Sequence, residues 1–186
     1  MESILRHERI SVFLDTDFDS VEEAKFDHTF WIGPSDAFFK YEFGNLGYRT
    51  LDFDEETHDG DFQGCPVTNF PDEEIPITRI THITRTTQDK HFAYWETHEQ
   101  TVVYRESSRP CEEVDIPHYL IRLVKEMDVL ENYLKVATEQ TNVSFLGRLG
   151  TYRYLDMDVT ISEALDSGAE VLKSLKLGQN SSKTIV

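Results

Sequence analysis

VSFLGRLGTYRYLDMD, residues 143–158, decides how the chain is read. The opening VSFLG (143–147) reads as a short buried strand. From Gly147 the character changes: two arginines, two tyrosines and two aspartates fall within residues 147–158, directly ahead of a helical pattern. A stretch that only had to fill a core would not be built this way. A strand, a polar turn and a helix start leave unpaired N–H groups and the positive end of the helix dipole pointing out of the turn. Such a junction suits an anion or the electron-rich edge of a ring.

On the C-terminal side, Ile161, Ala164, Leu165, Gly168, Leu172 and Leu175 mark one face of a helix over about 158–175, with a Thr160-to-Glu163 capping box at its start. On the N-terminal side, Leu120, Leu123, Val124, Met127, Leu130, Leu134 and Ala137 mark one face of a longer helix, over about 119–139. Before Pro117 the period is shorter. ISVFLD (10–15), HTFWIG (28–33), YRTLDF (48–53), CPVTNF (65–70), PITRITHI (76–83) and QTVVYR (100–105) are apolar, alternating or β-branched runs closed by polar or Gly-Pro punctuation. They predict strands of a largely antiparallel or mixed sheet. SDAFFKYEFG (35–44) predicts a short helix after Gly33-Pro34, ended by Gly44. The expected class is α+β: a β-rich part over 1–117, a helix–strand–helix part over 118–176, and a disordered tail over 177–186.

Composition narrows the partners. Asp and Glu number 35 against 18 Lys and Arg, a formal charge of −17. That field repels nucleic acid and anionic lipid, so neither is an expected partner. An anionic ligand would have to be held by a local group of arginines. Cys65 and Cys111 form no CxxC, and MESILRHERI has no long apolar run, which together predict a soluble protein of a reducing cytoplasm. Metal sites are not expected. Asp15, Asp17 and Asp19 mimic a calcium loop, but Ser20 stands where its Gly is needed and Phe26 where its Glu is needed. His82, His91 and His98 lack metal spacing and are read as solvated. The acidic DFDEETHDGD (52–61) is read as a solvated loop.

Four segments in order resemble the UDP-galactopyranose mutase family, flavoproteins that interconvert the pyranose and furanose forms of a nucleotide sugar. WIGPSDAFFKYEFGNLGYRTLDF (31–53) is similar to the family's Gly-Pro-x-Asp…Phe-Gly-x-Leu-x-Tyr-Arg-Ser-Leu segment, with Thr50 for Ser. FQGCPVTNFPDEEIPITRI (62–80) resembles its Gln-Gly…Asn-Tyr…Pro-Tyr-Thr-Arg-Ile segment, and VVYRE (102–106) its Arg-Glu-Tyr strand, with Ser107 for Tyr. FLGRLGTYRYLDMD (145–158) looks like its closing Gly-Arg-Leu…Tyr-x-Tyr-x-Asp-Met motif. The family also begins with a GxGxxG dinucleotide-binding turn, and none of the nine glycines here forms one. The resemblance is to the C-terminal half.

The resemblance implies that the C-terminal strand and two helices belong to an FAD-binding domain, and that Asn69, Arg79, Glu106, Tyr119 and Tyr154 bind the nucleotide-sugar substrate, Arg79 and the two tyrosines at its diphosphate. A planar, always-charged fork suits a pyrophosphate that must leave and return, and a tyrosine hydroxyl donates to phosphate without adding a cation. It implies that Arg148, Leu155, Asp156, Met157 and Asp158 lie beside the flavin, with Gly33 and Pro34 approaching the cofactor and Phe18 near the adenine. Each position has a plainer reading beside this one: an outward strand arginine, a core tyrosine with a wet hydroxyl, a helix cap, an ordinary Gly-Pro turn. The implied activity exchanges UDP-galactopyranose and UDP-galactofuranose through a covalent reduced-flavin–sugar intermediate. The alternative is a non-catalytic truncated C-terminal piece, or a module that needs an N-terminal partner; the expected protein partners are a GxGxxG-bearing N-terminal half or, in a homo-oligomer, a second copy.

Overall fold

The computed structural model describes residues 2–20, 26–82, 100–112 and 114–177. The expected tail over 177–186 lies outside them from residue 178 on, as do His91 and His98. Five strands form an antiparallel sheet: β2 (Tyr48–Asp59), β3 (Val67–Asn69), β4 (Arg79–His82), β5 (Gln100–Pro110) and β6 (Tyr119–Leu120), in the order β3-β4-β5-β2-β6. Its spine is the long β2·β5 ladder, running from Arg49 opposite Pro110 to Asp59 opposite Gln100. Apart from this sheet, β1 (Thr29–Trp31) and β7 (Val143–Phe145) pair in parallel, Thr29 with Val143 and Trp31 with Phe145.

The helices are α1 (Glu2–Leu5), α2 (Ser35–Phe38), α3 (Val124–Glu139), α4 (Gly147–Gly150) and α5 (Met157–Lys176), with a 3-10 turn at Phe18–Ser20. A first core joins Leu46, Tyr48, Leu120, Leu130, Tyr133 and Tyr152. A second joins Ala137, Val143 and Phe145, with Trp31, Phe38 and Phe39 packed against it. Aromatic edges bind the two cores together: Phe38 meets Phe145 at 5.0 Å and Phe39 stacks on Tyr133 at 5.9 Å. Each such ring buries a large apolar area, and ring–ring contacts add about 0.5–1.5 kcal/mol beyond it.

The residues 36–48 are pinned by buried polar groups. Asp36 accepts from the Leu46 N–H at 2.8 Å, the Tyr48 hydroxyl at 3.3 Å and the Ala37 N–H at 3.1 Å. Burial nevertheless raises its carboxyl above the ordinary range, those bonds only partly offsetting it. Tyr152 is fully buried with φ at 50°, a left-handed conformation unusual for a bulky residue. Its hydroxyl donates to the Gly47 carbonyl at 2.7 Å and also lies against the Ile121 carbonyl, so one side chain ties three segments.

Several expectations need correction. ISVFLD (10–15) forms no strand; its residues are exposed and irregular, because an apolar run without a paired neighbour has no ladder to join. The acidic 52–61 run is not a loop: residues 52–59 are strand, their charges met by Arg105 on Glu56 at 2.6 Å and Arg109 on Asp52 at 2.9 Å. His82 is buried, its ring bonded to Thr101 at 2.8 Å and 3.5 Å from Asp61. The first long helix starts at Val124; Tyr119 and Leu120 are strand, and Leu123 is exposed. The last helix starts three residues before Thr160, with Asp156 as its N-cap residue. Thr160 donates to the Asp156 carbonyl at 2.9 Å and Glu163 pairs with Arg153 at 2.9 Å, so no capping box forms. The apolar stripe of α5 lies open, Ile161, Leu165 and Leu172 being 60%, 70% and 60% exposed, while Ser167 and Val171 are buried.

Candidate functional site

Arg79, Glu106, Tyr119 and Tyr154 line one cavity of about 240 Å³, together with Leu51, Thr78 and Ser108. Four strands and the turn before α5 contribute to it, which is why no local spacing in the sequence marks it. Strand pairing explains the convergence. Asn69 stands opposite Arg79 across β3·β4, and Arg79 opposite Glu106 across β4·β5. Directly opposed residues share a face of the sheet. Arg79 Nε donates to Asn69 Oδ1 at 2.9 Å, and Arg79 Nη1 lies 3.9 Å from Glu106 Oε1. Glu106 is buried and accepts from the Thr81 hydroxyl at 2.9 Å.

The other wall is aromatic. Tyr119 and Tyr154 stack with centroids 6.2 Å apart. The Arg148 guanidinium lies over both rings, 5.5 Å from Tyr119 and 4.9 Å from Tyr154, and donates to the Leu155 carbonyl at 2.9 Å. One lining cation and two phenols around a space this size, with Arg148 against both rings, suit a ligand with a compact negative charge and flat or hydroxylated parts.

Phe18 apart, the residues expected near a cofactor fall in the two segments that follow β1 and β7, the second reaching through α4 into the first turn of α5. Gly33 and Pro34 follow β1, and Arg148, Leu155, Asp156, Met157 and Asp158 follow β7. The two segments touch: Leu146 N–H donates to the Trp31 carbonyl at 2.9 Å, and a Cβ on Gly150 would meet that carbonyl at 2.7 Å. Both segments leave the C-terminal ends of adjacent parallel strands, where ligands of parallel sheets sit. Leu155 is buried; Met157 is 84% exposed. Asp156 makes no side-chain cap bond, so it does not occupy the first N–H groups of α5. Phe18 packs edge-on against Trp31 at 5.3 Å, and a Cβ on Gly33 would meet the Trp31 ring at 3.0 Å.

Sequence reading missed Leu51, Thr78, Ser108 and Arg49. Arg49 holds Ser108, its Nε donating to the hydroxyl and its Nη2 to the carbonyl, both at 2.6 Å. The signal for Ser108 was available: it follows Glu106 by two positions and so shares its face of β5. No group of His, Cys, Asp and Glu suited to a metal ion occurs among the described residues. Nor is any helix among them long and apolar enough to cross a membrane.

Fold and cavity together bring an arginine, a carboxylate and two phenols to one face of the sheet, beside a parallel-strand junction. Residues 1–154 match the model of the UDP-galactopyranose mutase family, and the chain belongs to that family. It is 50% identical over 175 residues to a probable UDP-galactopyranose mutase of Klebsiella pneumoniae, covering 94% of this chain and 44% of the relative. It is 42% identical over 182 residues to a dTDP-fucopyranose mutase of Escherichia coli, covering 94% and 47%. A UDP-galactopyranose mutase of Mycoplasma pneumoniae is 32% identical over 148 residues, 77% of this chain and 36% of that one. The chain thus spans less than half the length of each of these relatives.

Proposed function

We propose that this chain carries the diphosphate cradle and part of the flavin floor of an FAD-dependent mutase that exchanges the pyranose and furanose forms of a nucleotide sugar of the UDP-galactose type. The observation that carries the reading is the meeting of Arg79, Glu106, Tyr119 and Tyr154 around one cavity. Arg79 would bind the diphosphate through charge and hydrogen bonds, and the tyrosine hydroxyls would donate to it without adding charge. Such contacts stabilise a leaving diphosphate without trapping it.

The donor set after β1 and β7 fits a flavin. Arg148, the backbone from Leu155 to Asp158 and the Gly33-Pro34 turn would hold it, with the α5 N-terminus favouring negative charge on the ring. When bound in its reduced form, FAD would supply the nucleophile for the anomeric carbon. Phe18 would lie near the adenine.

A second reading has its own support: a unit that is inactive until a dinucleotide-binding half joins it. Among the described residues β1 and β7 pair only with each other, and the apolar stripe of α5 lies open at Ile161, Leu165 and Leu172. Parallel sheets are stable when extended and covered on both faces. A GxGxxG-bearing half would supply the missing strands, helices and pyrophosphate clamp.

The test is a titration of the purified chain with UDP and with FAD, followed by a turnover assay. UDP should bind, and Arg79→Ala should weaken it at least about tenfold, the loss of a charge-assisted pair. FAD should not be held tightly by the chain alone. With a reductant and an added N-terminal half, the mixture should interconvert UDP-galactopyranose and UDP-galactofuranose, with dTDP-fucose run as the competing substrate. A chain that ignores UDP would sink the substrate reading.

A further inference from the structure

Asn69, Arg79 and Glu106 form one transverse row across three strands, each opposite the next in register. All three are assigned above to the ligand, but their chemistry divides them. Asn69 has its carbonyl oxygen on the Nε edge of Arg79 at 2.9 Å. Glu106 sets a carboxylate 3.9 Å from Nη1 and is itself fixed by the Thr81 hydroxyl at 2.9 Å. Among the described residues the Arg79 side chain makes no other hydrogen bond. Its outer Nη groups are therefore what the cavity offers to an anion.

We propose that Asn69 and Glu106 are positioning residues for Arg79, not ligand contacts, and that Glu106 tempers the cation so that a diphosphate leaves as readily as it arrives. The proposal rests on the diphosphate reading of this cavity. An arginine free on two sides would sample many rotamers and lose entropy with each binding event. Held at Nε, the fork is set in advance. A carboxylate in the same cavity repels an incoming phosphate, so a direct contact between Glu106 and an anionic ligand is unfavourable. Its place beside Nη1 instead lowers the net attraction, which suits a group that must depart and return within each cycle.

Two measurements on this chain separate the roles. In nitrogen-15 spectra resolving arginine side chains, the Arg79 Nε–H should exchange slowly with water in the native chain. It should do so in Asn69→Asp, which keeps the acceptor, and in Glu106→Gln. In Asn69→Ala the exchange should be fast. In UDP titrations, Asn69→Ala should weaken binding by about fivefold to tenfold, the loss of one pre-set charge-assisted contact. Glu106→Gln should tighten it by about threefold to tenfold, with a slower off-rate, as one near like charge is removed. If Asn69→Ala leaves the Nε–H exchange unchanged, or Glu106→Gln weakens UDP binding as Arg79→Ala does, the proposal is overturned. If the native chain binds no UDP, the substrate reading and the tempering of release both fail. The exchange measurement still decides the hold on Arg79.

Discussion

Tyr119 and Tyr154, from strand β6 and the turn before α5, lie parallel within 15° and share Arg148 as a common cation. Tyr154 is 64% exposed, so packing alone does not fix it. Arg148→Ala removes two cation–π contacts of about 0.5–1 kcal/mol each and a charged bond to the Leu155 carbonyl of about 1.5–3 kcal/mol, part of which water replaces. Urea unfolding should show a loss of about 2–3 kcal/mol. Arg148→Lys should fall between, since an ammonium keeps the charge but not the fork.

Tyr152→Phe takes the hydroxyl donor from the Ile121 carbonyl, while the Gly47 carbonyl keeps the Ile121 N–H at 2.8 Å. One acceptor left unmet costs about 1–3 kcal/mol, readable from the same unfolding curves. The hydroxyl also titrates late: burial, first among its causes, pushes it up to about 12. The unfolded chain loses this proton first, near pH 10, so native stability should decline from there toward pH 12. The Phe variant should lack that component of the slope.

Asp36 gives the same sign at the acid end. Burial raises its folded value, so the native state binds the proton more tightly than the unfolded chain. Its contribution is complete below the unfolded value of about 4 and is lost as pH rises through the folded one. Comparing native chain with Asp36→Asn between pH 4 and 7, the native advantage should shrink as pH rises. An advantage that grows with pH would contradict the assignment.

Gly150→Ala tests the junction of the two segments after β1 and β7. The added carbon would stand 2.7 Å from the Trp31 carbonyl, a backbone atom that already accepts from Leu146. Either α4 or β1 must move, at a cost of about 1–3 kcal/mol. The melting temperature should fall by about 2–4 °C for each kcal/mol in a chain of this size. Gly168→Ala, with open space around its Cβ, is the matched control.

Much of the sheet was legible because alternation and β-branching survive in YRTLDF, PITRITHI and QTVVYR, and strand cores are read by period. The charged extension of β2 past Phe53 was not, because Glu56 in it is countered by Arg105, far away in sequence. The stripe of α5 was found from its period. Periodicity reports an apolar face; it says nothing about what covers it, and here the buried side holds Ser167 and Val171. In the cavity, Arg79 and Tyr154 were recognisable from the motifs that contain them. The bond from Arg79 to Asn69 depends on strand register, which residue types alone do not specify.

The parallel pair β1·β7 joins residues 29–31 to 143–145, and the whole antiparallel sheet is spelled out between them. Folding therefore has an order written into it. The β2·β5 ladder and the α3 helix close short or intermediate loops, whereas β1·β7 must close a loop through residues 32–142, an entropic toll that rises with the logarithm of length. Contacts of such sequence separation form late in the transition to the native state. Gly33-Pro34 and Arg148, which hang from the ends of these two strands, come together only after the cavity wall exists. A chain stalled during folding would own a formed sheet and a divided junction, so probes at Gly33-Pro34 and Arg148 should report the last kinetic phase.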